Sequence, residues 1–441
     1  MKKPFSRSTL TRRPLHRWLL GAALFAASSA GANGALAAAA AEPANATDAA
    51  AAANSRHAAQ LAQAAAPAQS GDPSAVRAGA GSSRAPVPGG RCNWPDYSAF
   101  LGRHVQADGR VIDYGPPQQT TSEGQSYALF FALVDNDRAT FDRLLAWTEA
   151  NLGSGDMAAR LPAWQWGQRK DGSWGIMDQN SASDADLWIA YALFEAGRLW
   201  RQPRYTTLAL AIVDQVKSTE LFSLPSFGPM LAPGQTGFRI ANDVWRLNPS
   251  YVPLPVLRLI ARNDPQGPWK TIASNTVAMM RAVAPRGYAP DWAAYQSGKG
   301  FIIDPVKGDV GSYDAIRTYL WAGMTPKSDP LAAPLLAALG GMRAAAGGAV
   351  PEKVATVTGT TSGTGPAGFS AALLPYYMAL GANGQLNAAR ARAADASGAA
   401  SQAPGYYDRV LQLFGQGYAD GRYRFDASGR LLPNWSASCR G

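Results

Sequence analysis

Glu123, Asp184 and Asp314 are the residues of this chain best placed to move protons. Each sits at the start of an apolar segment of helical period. Glu123 lies in Thr120-Thr121-Ser122-Glu123-Gly124-Gln125-Ser126-Tyr127, Asp184 in Ser183-Asp184-Ala185-Asp186, and Asp314 in Ser312-Tyr313-Asp314-Ala315. Ser122 with Gln125 and Ser183 with Asp186 have capping-box spacing, so each Ser is expected to cap its helix. Acids are favoured in a first helical turn on structural grounds alone. The segments that follow, Tyr127–Val134 and Leu187–Phe194, are too apolar for surface helices. Their N-termini must therefore open at the mouth of the domain, where a carboxylate is either costly or functional. Splitting a glycosidic bond needs such a set: an acid for the leaving oxygen and a carboxylate to activate water or attack the sugar. Like charge from Asp184 would hold Glu123 protonated. Arg317, one turn after Asp314, would keep Asp314 ionised.

The aromatics fit a sugar polymer. Of 13 Trp, Trp164, Trp166 and Trp174 crowd one polar loop containing the turn Asp171-Gly172. Flat rings with hydrogen-bonding edges suit pyranose faces. These three, with Tyr127, Trp245, Tyr313, Arg317 and Asp184, are the candidate substrate contacts. Trp94, Trp147, Trp188, Trp200 and Trp321 fall in helical patterns and are assigned to the core, while Trp292 is left between the two. Tyr127, four residues past Glu123, lines the floor of the same cleft or packs.

Other chemistries lack material. His104 is the only histidine after residue 57, which leaves almost nothing for a Ser-His-Asp triad or a His-rich zinc site. No stretch has calcium-loop spacing, and Gly359–Gly365 lacks the lysine of a phosphate loop. Asp135-Asn136-Asp137-Arg138 and Asp156 read as turns and caps, and Asp304, Lys307 and Asp309 as a surface loop. There are 41 Lys plus Arg against 31 Asp plus Glu, a formal +10; residues 1–37 supply six bases and no acid, which leaves +4. That excess is too small, and too unclustered, for nucleic acid.

The elements that must position these groups are mostly helical. Helices are expected over 122–134, 138–151, 183–199, 203–217, 268–284, 328–344 and 384–397, with weaker patterns at 94–106, 250–263, 312–324, 368–380 and 404–415. Short turns at Asp135-Asn136-Asp137 and Gly381-Ala382-Asn383 mark antiparallel hairpins. Some twelve helices in six hairpins predict an all-α fold, an (α/α)6 barrel with an inner and an outer ring. β-Hairpin loops are expected over 163–174 and 421–432, the latter turning at Ser428-Gly429. Residues 346–366 are expected to form a flexible surface loop.

The catalytic domain spans residues 91–441. Before it, a basic head and the apolar Trp18–Ala27 make residues 1–37 a signal peptide, with cleavage at Ala35-Leu36-Ala37. The apolar run is shorter than the ~20 residues a bilayer requires, so no membrane anchor is expected after cleavage. Arg12-Arg13 followed by Pro14 fits either Sec or twin-arginine export. Residues 38–90, rich in Ala, Pro and Ser, form a disordered segment with little to bury. Cys92 and Cys439 bracket the domain. In an oxidising compartment they can pair and close a very long loop, or they stay as two thiols.

At "TTSEGQSYALFFAL" (120–133), "LPAWQWG" (161–167) and "NSASDADLWIAYALFEAGRLW" (180–200) the chain resembles glycoside hydrolase family 8. The likeness continues through "NPSYVPL" (248–254), "GSYDAIRTYLWAGM" (311–324), "GPAGFSAALLPY" (365–376) and "LFGQGYADGRYRF" (413–425). It is nearest to the family's periplasmic endo-β-1,4-glucanases encoded with bacterial cellulose synthase. The resemblance implies an (α/α)6 barrel with an open groove, inversion at the anomeric carbon and no cofactor or metal. It makes Glu123 the general acid and Asp314 the base, with Asp184 holding the sugar at the point of cleavage. It also implies a monomer in the periplasm, or secreted, acting on a β-1,4-glucan chain beside the cellulose synthase complex. Chitosanase or xylanase specificity would use the same carboxylates, and a non-enzymatic glycan-binding component of a secretion assembly is the reading from another class.

Overall fold

The computed structural model describes residues 94–115, 118–345, 349–398 and 405–437. The signal peptide, the Ala-rich segment and the pairing of Cys92 with Cys439 lie outside the described residues. The chain enters through α1 (Pro95–His104), then forms the hairpins α2 (Ser122–Val134) with α3 (Arg138–Asn151) and α4 (Ser183–Leu199) with α5 (Pro203–Thr219). Next come α6 (Leu254–Asn263) with α7 (Trp269–Val283), and α8 (Ala315–Met324) with the short α9 (Ala332–Ala338) and α10 (Gly341–Ala345). The series ends with α11 (Ala367–Ala372), α12 (Leu374–Leu380), α13 (Asn383–Gly398), α14 (Tyr406–Ala419) and the single turn α15 (Asn434–Ala437).

These helices form the expected toroid. The inner ring runs α2, α4, α6, α8, α11–α12 and α14, and α14 returns to α2 through Phe414 against Phe131 at 4.7 Å. The outer helix of each hairpin backs its partner, and α1 backs α14. Inner helices are apolar nearly all round because both faces are covered: every residue of α2 from Gly124 to Val134 is buried. The axis is filled with rings. Phe414 meets Tyr127 at 5.0 Å, Phe130 at 5.4 Å, Trp188 at 5.5 Å and Trp321 at 5.1 Å. Such pairs each add about 0.5–1.5 kcal/mol beyond area burial, which makes the plug a rigid floor. The five Trp assigned to the core are all buried.

Local chemistry moves several helix ends. The helix expected over 368–380 is two, because Pro375 cannot donate to the preceding turn and so begins a new helix. Residues 328–344 likewise break between α9 and α10, where Gly341 donates to the Gly287 carbonyl at 3.0 Å and a Cβ would strike Arg286 O. Pro253 and Pro255 delay α6 to Leu254, and a 3-10 turn covers Pro249–Tyr251. Asp137 caps α3, accepting from Thr140 N, and Asn136 takes φ 58° in the turn before it.

Antiparallel sheets decorate the rims. β1 (Gln119–Thr121), β2 (Gln165–Gln168) and β3 (Trp174–Asp178) form one sheet, and β4 (Leu221–Leu224) with β5 (Gly228–Leu231) a hairpin. A four-stranded sheet orders β6 (Arg239–Ala241), β7 (Val244–Leu247), β8 (Ala293–Gln296) and β9 (Gly300–Ile303). Two further groups are β10 (Val310–Gly311) with β11 (Lys353–Ala355) and β12 (Thr360–Ser362), and β13 (Tyr423–Phe425) with β14 (Leu431–Pro433). Both expected hairpins are present, turning through Gly172 at φ 85° and Gly429 at φ 80°. Residues 346–366 are not simply a flexible loop: β11 and β12 pair with each other and with β10. Asp304 is not a surface residue either, since it is 1% exposed and bound by Arg246 at 2.8 Å.

Candidate active site

The toroid brings the starts of α2, α4 and α8 to one mouth. Neither serine expected to cap does so. Thr121 caps α2, accepting from Gly124 N at 3.1 Å, while Ser122 is buried in the first turn. The N-cap of α4 is Ala182, with Ser183 already inside the helix. Gln125 instead pins α2 from within: its Oε1 accepts from Val111 N at 2.7 Å and its Nε2 donates to Thr148 Oγ1 at 2.9 Å. Gly124, beside Glu123, is a glycine because a Cβ would lie 2.6 Å from the Tyr406 hydroxyl. Glu123 is thus fixed by its backbone on both sides.

Asp314 starts α8 but does not cap it. Asp291 does that from the loop before β8, its Oδ1 accepting from Ser312 N at 2.7 Å and Ala315 N at 2.8 Å. This frees the Asp314 carboxylate for Arg317, whose Nη2 donates to Asp314 Oδ1 at 3.0 Å. The same guanidinium has its Nη1 3.3 Å from Glu123 Oε2. Ser250 Oγ and Tyr407 Oη, each 3.1 Å away, hold it in place. The expected pairing of Arg317 with Asp314 is present, and the same arginine also spans to Glu123, which the sequence did not suggest. Its terminal nitrogens are about 2.3 Å apart, so the two bound oxygens lie no more than roughly 9 Å from each other, a limit that accommodates an intervening water.

Asp184 completes the group from α4. It is 2% exposed and within hydrogen-bond reach of Glu123. Were all three acids ionised, Asp184 would have only the backbone N–H of Ala185 to offset its burial and no side-chain donor. Two unit charges 4 Å apart repel by about 4 kcal/mol at an effective dielectric of 20, near three pKa units. One guanidinium cannot offset three carboxylates, so the cluster retains protons. Burial and the neighbouring Glu123 push Asp184 well above the usual carboxylate range. Glu123 is also raised, by burial first and Asp314 next, against the opposing pull of Arg317. Glu123 is thus raised beside an Asp314 that is bound by the guanidinium.

Residues 89–421 match the model of glycosyl hydrolases family 8. The chain belongs to that family. An endoglucanase of Xanthomonas axonopodis pv. citri is 51% identical over 345 residues, covering 78% of this chain and 89% of the relative. One from Pseudomonas fluorescens is 44% identical and covers 79% and 93%. The crystal structure of endo-1,4-D-glucanase from Vibrio fischeri ES114 superposes with a TM-score of 0.71 at 39% identity, covering 78% of this chain and 99% of that one.

The candidate substrate contacts of this family 8 chain are divided by the fold. Tyr127 lies under the carboxylates, 1% exposed and edge-on to Phe414 and Trp188. Tyr313 stands at the rim, 46% exposed, with its carbonyl accepting from Tyr407 Oη at 2.6 Å. Trp164 is half-buried immediately before β2, its backbone tied to the first turn of α2 through its carbonyl, which accepts from Ser122 N at 3.0 Å. Trp166 and Trp174 do not face the acids. Trp166 pairs with Thr120, and side chains alternate along a strand, so both rings project opposite to Gln119 and Thr121, which border the cavity at Glu123. On that far face Trp166 packs against Trp147 at 5.5 Å and Trp174 at 5.3 Å, with Arg110 4.2 Å from its ring. Trp245 is 7% exposed, against Tyr295 and Arg239.

The residues not anticipated are those that hold others. Tyr407 and Ser250 fix Arg317, Asp291 caps α8, and Tyr406 with Tyr407 lines the cavity of about 260 Å³ at Glu123. Trp292 stacks on Phe238 at 6.0 Å and lies 6.4 Å from Tyr251, beside the acids. The Tyr406-Tyr407 pair opening the last inner helix was the available signal.

Two residues after Asp184, a second acid pair anchors α4. Asp186 is fully buried, and neither of its oxygens has a donor when both acids are ionised. It borders Glu220, whose Oε1 accepts from Ser181 Oγ. Burial raises Glu220 to about 8, against the pull of Ser181, and pushes Asp186 well above its ordinary value. Unfolded chains release such protons near 4.5, whereas the folded chain keeps them, so the pair's contribution is present below 4.5 and lost as pH rises through about 8. The midpoint of thermal unfolding should therefore fall between pH 5 and pH 9. Glu220→Gln, which keeps the shape and can donate to Asp186, should flatten that fall; an identical slope in both proteins would reject the shared proton.

Proposed function

We propose that this chain hydrolyses internal β-1,4-glucosidic bonds of cellulose or related β-glucans with inversion, Glu123 acting as acid and Asp314 as base. The observation that carries the reading is Arg317, buried between the two carboxylates and bonded to both. It holds the two carboxylates at one guanidinium, with Glu123 raised and Asp314 paired. Asp314 draws the proton from a water, the water attacks the anomeric carbon, and Glu123 protonates the departing oxygen on the opposite side. A protonated Asp184 donates to a sugar hydroxyl at the cleavage point. The relatives bear the name endoglucanase, and chain-internal attack suits a site at an open mouth. A leader with the pattern of a signal peptide and the resemblance to glucanases encoded with cellulose synthase support a periplasmic enzyme acting on chains in transit. No helix among the described residues is long and apolar enough to cross a membrane.

Viscosity and reducing ends measured together on carboxymethylcellulose test this reading. Rapid viscosity loss with few new ends is expected; binding without new ends would leave only a glycan-binding role. The aromatic assignments separate in the same assay. Trp164→Ala, at the residue whose backbone is bonded next to the acid, should raise KM several-fold if its ring serves the sugar. Trp174→Ala, whose ring stands on the far face of the sheet, should leave KM within two-fold. The reverse pattern would restore Trp174 to the cleft.

A further inference from the structure

A cavity of about 900 Å³ opens at the C-terminal ends of α4 and α6, lined by Arg198, Arg201, Arg262 and Arg430 with Glu195 as the one acid. Fourteen residues of helix separate Asp184 from Arg198, so at 1.5 Å per residue this site is about 20 Å from the carboxylates. Glu195 is spent. Its carboxylate takes Arg198 Nε and Nη2, and its Oε2 accepts from Leu431 N at 2.8 Å. Arg201, Arg262 and Arg430 make no ion pair among the described residues. Asp426 feels the charge of Arg430 but forms no ion pair with it, its Oδ1 accepting from the backbone N–H groups of Ser428 and Arg430.

Helix-end carbonyls account for Arg198 and Arg262, which sit in last turns. They do not account for the other two. Arg201 holds a left-handed backbone at φ 55°, where glycine is the ordinary residue after a helix. Arg430 has its Nε buried with no acceptor. A charged donor left bare in this way is costly unless something binds it.

We propose that this cavity binds an oxyanion of the phosphate class carrying two or more negative charges, gripped by the guanidinium forks of Arg201, Arg262 and Arg430. Guanidinium matches phosphate oxygens two at a time, and the volume suits a phosphorylated small molecule. The site is independent of the hydrolytic reading.

Calorimetry of the mature protein at low ionic strength tests it with sodium pyrophosphate, using sodium chloride at matched ionic strength as reference. Pyrophosphate should bind saturably at one site, and chloride should give no saturation. Arg201→Ser with Arg262→Ser, both at exposed positions, should weaken binding at least ten-fold while hydrolysis of hydroxyethylcellulose stays as in the parent. Arg430→Lys, which keeps the charge and loses the fork, should also weaken it. No saturable heat, chloride saturating like pyrophosphate, or unchanged affinity in either variant would overturn the proposal.

Discussion

Replacing Glu123 by Gln should lower kcat on soluble β-glucan by about 10²–10⁴-fold, the usual worth of a positioned acid, with KM nearly unchanged. Gln keeps the volume and can still accept from Arg317, so the backbone frame set by Thr121, Gly124 and Gln125 stays intact. Only the transferable proton is lost. Two further readouts separate this from a structural effect. The loss should shrink on an oligosaccharide carrying an acidic phenol as leaving group, because that group departs without a proton. The kcat of the parent should fall on the alkaline side as Glu123 releases its proton, since burial holds it above the ordinary carboxylate value. The variant should lack that limb. Activity within ten-fold of the parent would reject the assignment.

Asp314→Asn should be as severe but differ in kind. With no base to activate the water, the loss should be the same for natural and activated leaving groups. The amide can still accept from Arg317, and Asp291 still caps α8, so the fold around Ser312–Ala315 should be kept. Full recovery on the phenolic substrate would mean that Asp314 serves the leaving group instead. Single-turnover kinetics on both substrates measure this.

The acids themselves were legible because they are local. A carboxylate at the start of a helix with no polar face is visible within ten residues of sequence, and three such sites predicted one mouth. The parts that tune them come from far along the chain. Asp291 reaches α8 across 24 residues, Ser250 reaches Arg317 across 67, and Tyr407 across 90. No local pattern encodes those meetings. The capping serines misled because Thr121, one residue earlier, has the extended backbone a cap requires. The tryptophan loop misled for a geometric reason: the long-range pairing of Thr120 with Trp166 and the pairing of Gln168 with Trp174 put both rings on the face away from Gln119 and Thr121. Strands of three or four residues, such as those from Arg239 to Leu247, are too short to display alternation, and helix breaks at Pro375 and Gly341 interrupt otherwise continuous periodicity.

The central claim is that Asp314 directs water to the face opposite the leaving group while Glu123 protonates that group. Proton NMR of the anomeric region in the first minutes of β-glucan hydrolysis tests it most directly, before mutarotation mixes the products. The account predicts that new reducing ends appear first as the α-anomer, with β following only as mutarotation proceeds. New ends appearing first as β would contradict it, because they would require a covalent intermediate and two carboxylates closer together, about 5–5.5 Å apart.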